Sequence, residues 1–138
     1  MSQEIHLQVN SDLTAAFRVL SWFEQLNRPP LPNIKTWWQC QTLLHEGFTN
    51  IVEHAHKDLP LETQIVLEAV RSEHCIEIRI WSYGKPFDLK RKLREIAEFE
   101  DNDRDRGRGL KIIAEIADGF SYEPTSDARH CLWMKKCY

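Results

Sequence analysis

Strict alternation is the feature that most narrows what this chain can fold into. The stretch "TQIVLEAV" sets Ile65, Leu67 and Ala69 on one side of an extended chain. "CIEIRIWS" does the same with Ile76, Ile78, Ile80 and Ser82, and "EIHLQVN" near the start with Ile5, Leu7 and Val9. A period of two marks strands with one apolar face, and such a face must be covered. Two helical stretches separate the first strand from the other two. "LTAAFRVLSWFEQL", capped by Ser11 or Asp12, is the first, and the proline-rich "NRPPLPN" ends it. The second runs from about Ile34 to His56. Beyond the strands, "GLKIIAEIAD" reads as a short helix opening at Gly109, and "GFSYEP" and "HCLWMKK" as closing strands. This order predicts an α+β two-layer sandwich, with a mixed, mostly antiparallel sheet and helices on one face. No repeat or linker divides residues 1–138, so a single domain is expected.

Composition excludes several function classes. The chain has 138 residues, enough to bury a core without disulfide staples. Its formal net charge is -3, and nothing in that balance points to nucleic acid or an anionic membrane as partner. "MSQEIHLQVN" lacks a basic-then-apolar leader, and no apolar run approaches bilayer length. Cys40, Cys75, Cys131 and Cys137 show no Cys-x-x-Cys spacing, so neither a zinc ribbon nor a redox pair is expected. A reducing cytoplasm is the simplest setting for such a chain.

Chemistry-bearing residues concentrate in "HEGFTNIVEHAH", His45 to His56. At 100° per residue, Leu44, Gly47, Phe48, Ile51 and Ala55 form an apolar side. Glu46, Asn50, Glu53 and Lys57 gather on another, with His54 at its edge. A His-Glu-x-x-His zinc motif is absent, because Thr49 follows where histidine is needed. Two readings stay open on this segment alone. One is a solvated helix face. The other pairs the Glu46 carboxylate with the Asn50 amide, one turn apart, for acid/base work and Mg²⁺ binding.

Three segments taken in order carry a resemblance. They are Glu46-x-x-x-Asn50-x-x-x-His54 on a helix, "SYGKPFD" after a strand, and "GRGLKIIAEIAD" opening a helix. In order and spacing they resemble the N, G1 and G2 boxes of the GHKL (histidine kinase-like) ATPase superfamily, and in particular its small anti-sigma factor serine/threonine-protein kinases. The resemblance covers nearly the whole chain. It implies that Glu46 is the general base and that Asn50 ligates Mg²⁺, with His54 closing the N box. It assigns nucleotide contacts to Gly84 and Phe87 of the G1 box, where Pro86 and Asp88 complete "PFD". Gly107 and Gly109 match the phosphate-binding glycines, where backbone N–H groups at a helix start meet anions. Arg106 and Arg108 beside them would add charge-assisted contacts, with Leu110 following in the helix. Residues 89–106 resemble the ATP lid.

One position departs from the pattern. The G1 box normally opens with an aspartate two residues before the glycine, whose carboxylate accepts from the adenine amino group. Here that position is Ser82. Strand parity places Ser82 with Ile76, Ile78 and Ile80, pointing into the sandwich where the base would sit. A hydrogen bond to a charged group is worth about 1.5–3 kcal/mol and a neutral one about 0.5–1.5. The exchange therefore implies roughly tenfold weaker ATP binding, in part recoverable through a bridging water.

The resemblance implies an anti-sigma regulatory factor that binds Mg·ATP and phosphorylates a serine of a small antagonist protein. It further implies a sigma factor or similar regulator as second partner, and a homodimer. The alternative is a catalytically impaired module that sequesters its partner through a surface independent of nucleotide. A histidine kinase fragment fits less well, because the six histidines lie within or beside predicted elements, where they read as surface or packing residues. Trp37 and Trp38 are expected in the core, with exposure of one at a dimer or partner surface as the other reading.

Overall fold

A computed structural model of the chain describes residues 2–83 and 108–138. The five described strands are β1 (Gln3–Asn10), β2 (Gln64–Arg71), β3 (Cys75–Ser82), β4 (Gly119–Pro124) and β5 (His130–Cys137). They form one sheet in the order β1-β2-β3-β5-β4, and every neighbouring pair is antiparallel. The expected parallel component is therefore absent among the described residues. Short turns at Ser72–Cys75 and Thr125–Arg129 dictate the antiparallel sense of β2–β3 and β4–β5.

The helices are α1 (Ala16–Phe23), α2 (Ile34–Asn50) and α3 (Arg108–Ile116). Asp12 and Asn33 accept from Thr14 and Lys35 N–H, capping the 3-10 turn that leads into α1 and the start of α2. The side chains that alternation assigned to one face are buried: Ile65, Leu67, Ala69, Ile76, Ile78 and Ile80, joined by Leu132 and Met134. Val19 and Phe23 of α1, and Trp37, Leu43, Leu44 and Phe48 of α2, cover them. Phe23 stacks on Trp37 with ring centroids 4.8 Å apart. The α+β sandwich with helices on one face is thus the observed fold.

Gly47 sets how closely α2 lies on the sheet. A methyl group at this position would come within 2.7 Å of Met134 Cε, 3.1 Å of Ile80 Cδ1 and 3.3 Å of Leu132 Cδ2. Any side chain here would have to push these side-chain ends aside, so glycine eases the close approach of α2 to β3 and β5. At the other side, Lys136 Nζ donates to the Ile116 carbonyl at 3.0 Å, a cation at the C-terminus of α3. Asp118 then accepts from the Cys137 N–H at 2.6 Å. These bonds tie the end of α3 to β5 and fix the line along which its first residues lie.

Three expectations need correction. The long helix does not run as an α-helix to His56: α2 ends at Asn50 and a π-helical turn spans Ile51–Ala55. Trp37 is in the core, but Trp38 is 57% exposed. Cys75 and Cys137 form a disulfide. They sit opposite each other in the β3–β5 ladder although 62 residues separate them in sequence. The argument for a reducing compartment from unpaired cysteines therefore lapses. Cys40 remains free and buried, and burial pushes its thiol up to about 12, which makes it an inert packing group.

Candidate functional site

The residues singled out in "HEGFTNIVEHAH" separate in space. Glu46 is half-buried, and its carboxylate lies 3.9 Å from His45 Nδ1. Asn50, one turn on, is only 5% exposed. Its Nδ2 donates to the Glu46 carbonyl at 2.8 Å, which fixes the amide and turns Oδ1 away from the helix backbone. Glu53 and His54 follow on the π-helical turn, and both are exposed. One extra residue per turn breaks the α-helical spacing after Asn50, so His54 does not stack one turn above it as an α-helix would require.

His56 closes the π-helical turn, and its role was not foreseen. The side chain is 3% exposed, and Nε2 accepts from the Tyr83 N–H at 2.8 Å. That bond joins the end of the helical layer to the exit of β3, at the residue just before Gly84. A ring nitrogen that accepts carries no proton, so His56 is neutral, and burial lowers its pKa accordingly. Folding stability should therefore be constant above the ordinary histidine pKa. It should fall, by at most one proton's slope, as the pH drops below it. A His56→Gln variant keeps an acceptor for Tyr83 but does not titrate. Denaturant melts of both proteins across this range should diverge on the acid side, and parallel curves would remove the role assigned to His56.

Ser82 ends β3 on the helix-facing side, as parity required. It is 0% exposed, and its hydroxyl is in contact with Tyr122. His130 faces it directly across the β3–β5 ladder, and the His130 ring stacks on Tyr122 of β4 at 5.3 Å and 15°. The Tyr122 hydroxyl comes near Ser82. Burial raises the Tyr122 pKa, and the contact with Ser82 offsets part of that rise. His130, expected as a surface or packing residue, does pack, and its Nδ1 is buried and unpartnered among the described residues. Only the strand register, which pairs His130 with Ser82, could have indicated it.

Arg108 and Gly109 form the first turn of α3, and Leu110 behind them is buried. The helix thus opens one residue earlier than expected. Gly84, Phe87, Arg106, Gly107 and the segment 89–106 lie outside the described residues. The elements that carry these residues pack on one another, α2 against β3 and against α3. Elsewhere among the described residues, one group of metal-capable side chains occurs, Glu4, His6 and Glu68 on the opposite sheet face. There Glu68 is engaged by Arg79 at 3.3 Å.

The sequence profile of the histidine kinase-like ATPase domain matches residues 9–136. The chain belongs to the histidine kinase-like ATPase family. Among solved structures, this ATPase domain is similar to a chain of the SiaB–SiaC complex from Pseudomonas aeruginosa. The TM-score is 0.64 at 12% identity, over 97% of this chain and 89% of that one. At that identity the likeness concerns the fold. A search of curated proteins gave no match. Among the described residues of the ATPase domain, no helix is long and apolar enough to cross a membrane.

Proposed function

We propose that the chain is a Mg·ATP-dependent serine/threonine-protein kinase of the anti-sigma type, acting on a small antagonist protein. The observation that carries this reading is the Glu46–Asn50 pair. A half-buried carboxylate stands one helical turn from a buried amide whose nitrogen is already committed to backbone. Asn50 Oδ1 is then the oxygen left to a hard cation, the donor chemistry that Mg²⁺ takes. The residues present therefore fit the ion. When bound, Mg²⁺ neutralises charge on the phosphates during transfer.

Glu46 accepts the proton of the attacking serine hydroxyl as its oxygen bonds to the γ-phosphorus and the bond from that phosphorus to the bridging oxygen breaks, releasing ADP. The opening of α3 at Arg108 and Gly109 presents backbone N–H groups to the phosphates. Phosphoryl transfer is mostly a matter of positioning, so a compact domain suffices. The likeness to a chain of the SiaB–SiaC complex supports a small protein as partner. A sigma factor or similar regulator is the second partner under this reading. Trp38 and Phe17, 57% and 83% exposed, offer aromatic anchors for that contact or for a homodimer. A cytoplasmic location accompanies a regulator of transcription.

One observation favours a second reading. The buried position that would anchor adenine holds a neutral serine instead of a carboxylate. A pocket weakened there suits a module that sequesters its partner without catalysis. Calorimetric titration with ATP and ADP, with and without Mg²⁺, separates the two. Mg²⁺-dependent binding in the micromolar range is expected. No binding of either nucleotide, with partner capture intact, would replace the kinase reading by the sequestering one.

A further inference from the structure

The sheet face turned away from the helices carries a second convergence of polar groups. Glu4 and His6 stand two residues apart on β1, and His6 pairs directly with Glu68 across the β1–β2 ladder. Between them Ile5, Leu67 and Ala69 pack into the core, so parity puts all three polar residues on the open face. One donor atom from each lies within 4.8 Å of the other two. Glu4 Oε1 is 2.9 Å from His6 Nε2, and Glu68 Oε2 is 4.0 Å from His6 Nδ1. From the helix side, Trp22 Nε1 donates to the His6 carbonyl at 2.9 Å and holds that stretch of β1 in place. The nearby cations sit to one side of the group. Arg79 of β3 donates to Glu68 Oε1 at 3.3 Å and lies 3.7 Å from Glu77, which Lys135 of β5 faces in the ladder. On the β1 side, Glu4 and Glu68 Oε2 have only the His6 ring against them among the described residues.

We propose that Glu4, His6 and Glu68 bind one divalent transition-metal ion of the zinc type. Two carboxylates alone are a common surface feature; the imidazole set between them by strand register makes a ligand set. Each carboxylate offers an oxygen and the neutral imidazole a nitrogen. Mixed nitrogen and oxygen donors suit zinc, whereas Mg²⁺ and Ca²⁺ favour oxygen throughout. Three protein ligands leave the fourth tetrahedral position to water. Donors around one zinc stand about 3.3 Å apart, so the widest separation here closes by roughly 1.5 Å. The Glu4 and His6 side chains, 54% and 58% exposed, have room for that movement. Glu68 is the fixed member. Its side chain is 17% exposed, and Arg79 on Oε1 leaves Oε2 to the ion, the outer-shell support usual for a ligating carboxylate. The bound ion would neutralise both carboxylates and fasten β1, an edge strand, to β2. This site lies on the opposite side of the sheet from Glu46 and Asn50 and is independent of the nucleotide-binding reading.

The test titrates the native protein with zinc chloride by calorimetry, in the absence of nucleotide. Saturable binding of one zinc per chain is expected, undiminished by a large excess of magnesium chloride. His6→Gln removes the nitrogen donor and should weaken zinc binding by at least about tenfold, the least that a lost ligand costs when its supporting residues are worth 10–100-fold. Glu4→Gln and Glu68→Gln should each weaken it to a similar extent. Zinc-free thermal melts establish that the variants fold. His6→Gln and Glu4→Gln leave the Glu68–Arg79 contact intact, so these two decide even if Glu68→Gln does not fold. Absence of saturable zinc binding overturns the proposal, and His6 then serves only to pair with its two carboxylates. Native-like zinc affinity in His6→Gln also overturns it, since other histidines or thiols then hold the ion. So does displacement of zinc by magnesium. None of these outcomes touches the kinase reading, which concerns the other side of the sheet and is tested with nucleotide.

Discussion

Glu46→Gln is expected to reduce phosphoryl transfer by about 10²–10⁴-fold, the usual worth of a positioned general base, and to leave nucleotide affinity nearly unchanged. The structure explains why the two effects should separate. Glu46 supports Asn50 through its backbone carbonyl, which accepts the Asn50 amide, and that bond does not depend on the side chain. The carboxylate itself has a loose partner in His45 at 3.9 Å and stays partly open to solvent. Glutamine has nearly the same size, so the helix and its contacts should persist, with stability within roughly 0.5 kcal/mol of native. The measurement is transfer of γ-labelled phosphate to the partner's serine, beside calorimetric ATP binding on the same preparation. Transfer at the native rate would remove Glu46 from the chemistry. Loss of binding along with transfer would make it a structural residue.

Most of the fold was legible because one face of the sheet is covered. Under that condition a strand's parity is unambiguous: Ile76, Ile78 and Ile80 could face only the helices, and Ser82 had to follow them. The same reasoning placed Ser82 on the buried, helix-facing side. Parity says nothing about which strand lies beside which. The disulfide between Cys75 and Cys137 and the pairing of Ser82 with His130 both depend on β5 lying next to β3. Residues 62 positions apart in sequence give no local sign of that contact.

The π-helical turn escaped for a different reason. In "NIVEHAH", Ile51 and Ala55 are buried four residues apart, a spacing that an unbroken α-helix also satisfies. The hydrogen bond from His56 N–H to the Ile51 carbonyl, five residues back, distinguishes the two, and no residue type announces it. Its consequence for the site is concrete. Glu46 and Asn50 precede the change of period and keep the i, i+4 relation expected of them. Everything after is rotated, so His54 reaches solvent while His56 turns inward to hold Tyr83. Sequence spacing therefore carries the Glu46–Asn50 relation, and the turn after Asn50 departs from it.

Asn50 separates metal binding from nucleotide binding more sharply than any other position. Asn50→Ala removes Oδ1 and the bond to the Glu46 carbonyl together. The lost bond should cost about 0.5–1.5 kcal/mol of stability, since that carbonyl lies one turn inside a helix and keeps its backbone partner. The larger effect should fall on the ion. Even residues that only support a metal ligand are worth about 10–100-fold in affinity, so loss of the ligand should cost no less. Without Mg²⁺, native protein and variant should bind ATP alike, because Asn50 then contributes no charge and no contact to the phosphates. With Mg²⁺, native affinity should rise while the variant stays at its Mg²⁺-free level. Asn50→Asp supplies the control: it restores an oxygen donor, strengthens dependence on the ion, and weakens Mg²⁺-free binding through repulsion between carboxylate and phosphate. Equal gains from Mg²⁺ in native protein and Asn50→Ala would mean that another group holds the ion, and that the buried amide serves only to close the last turn of α2.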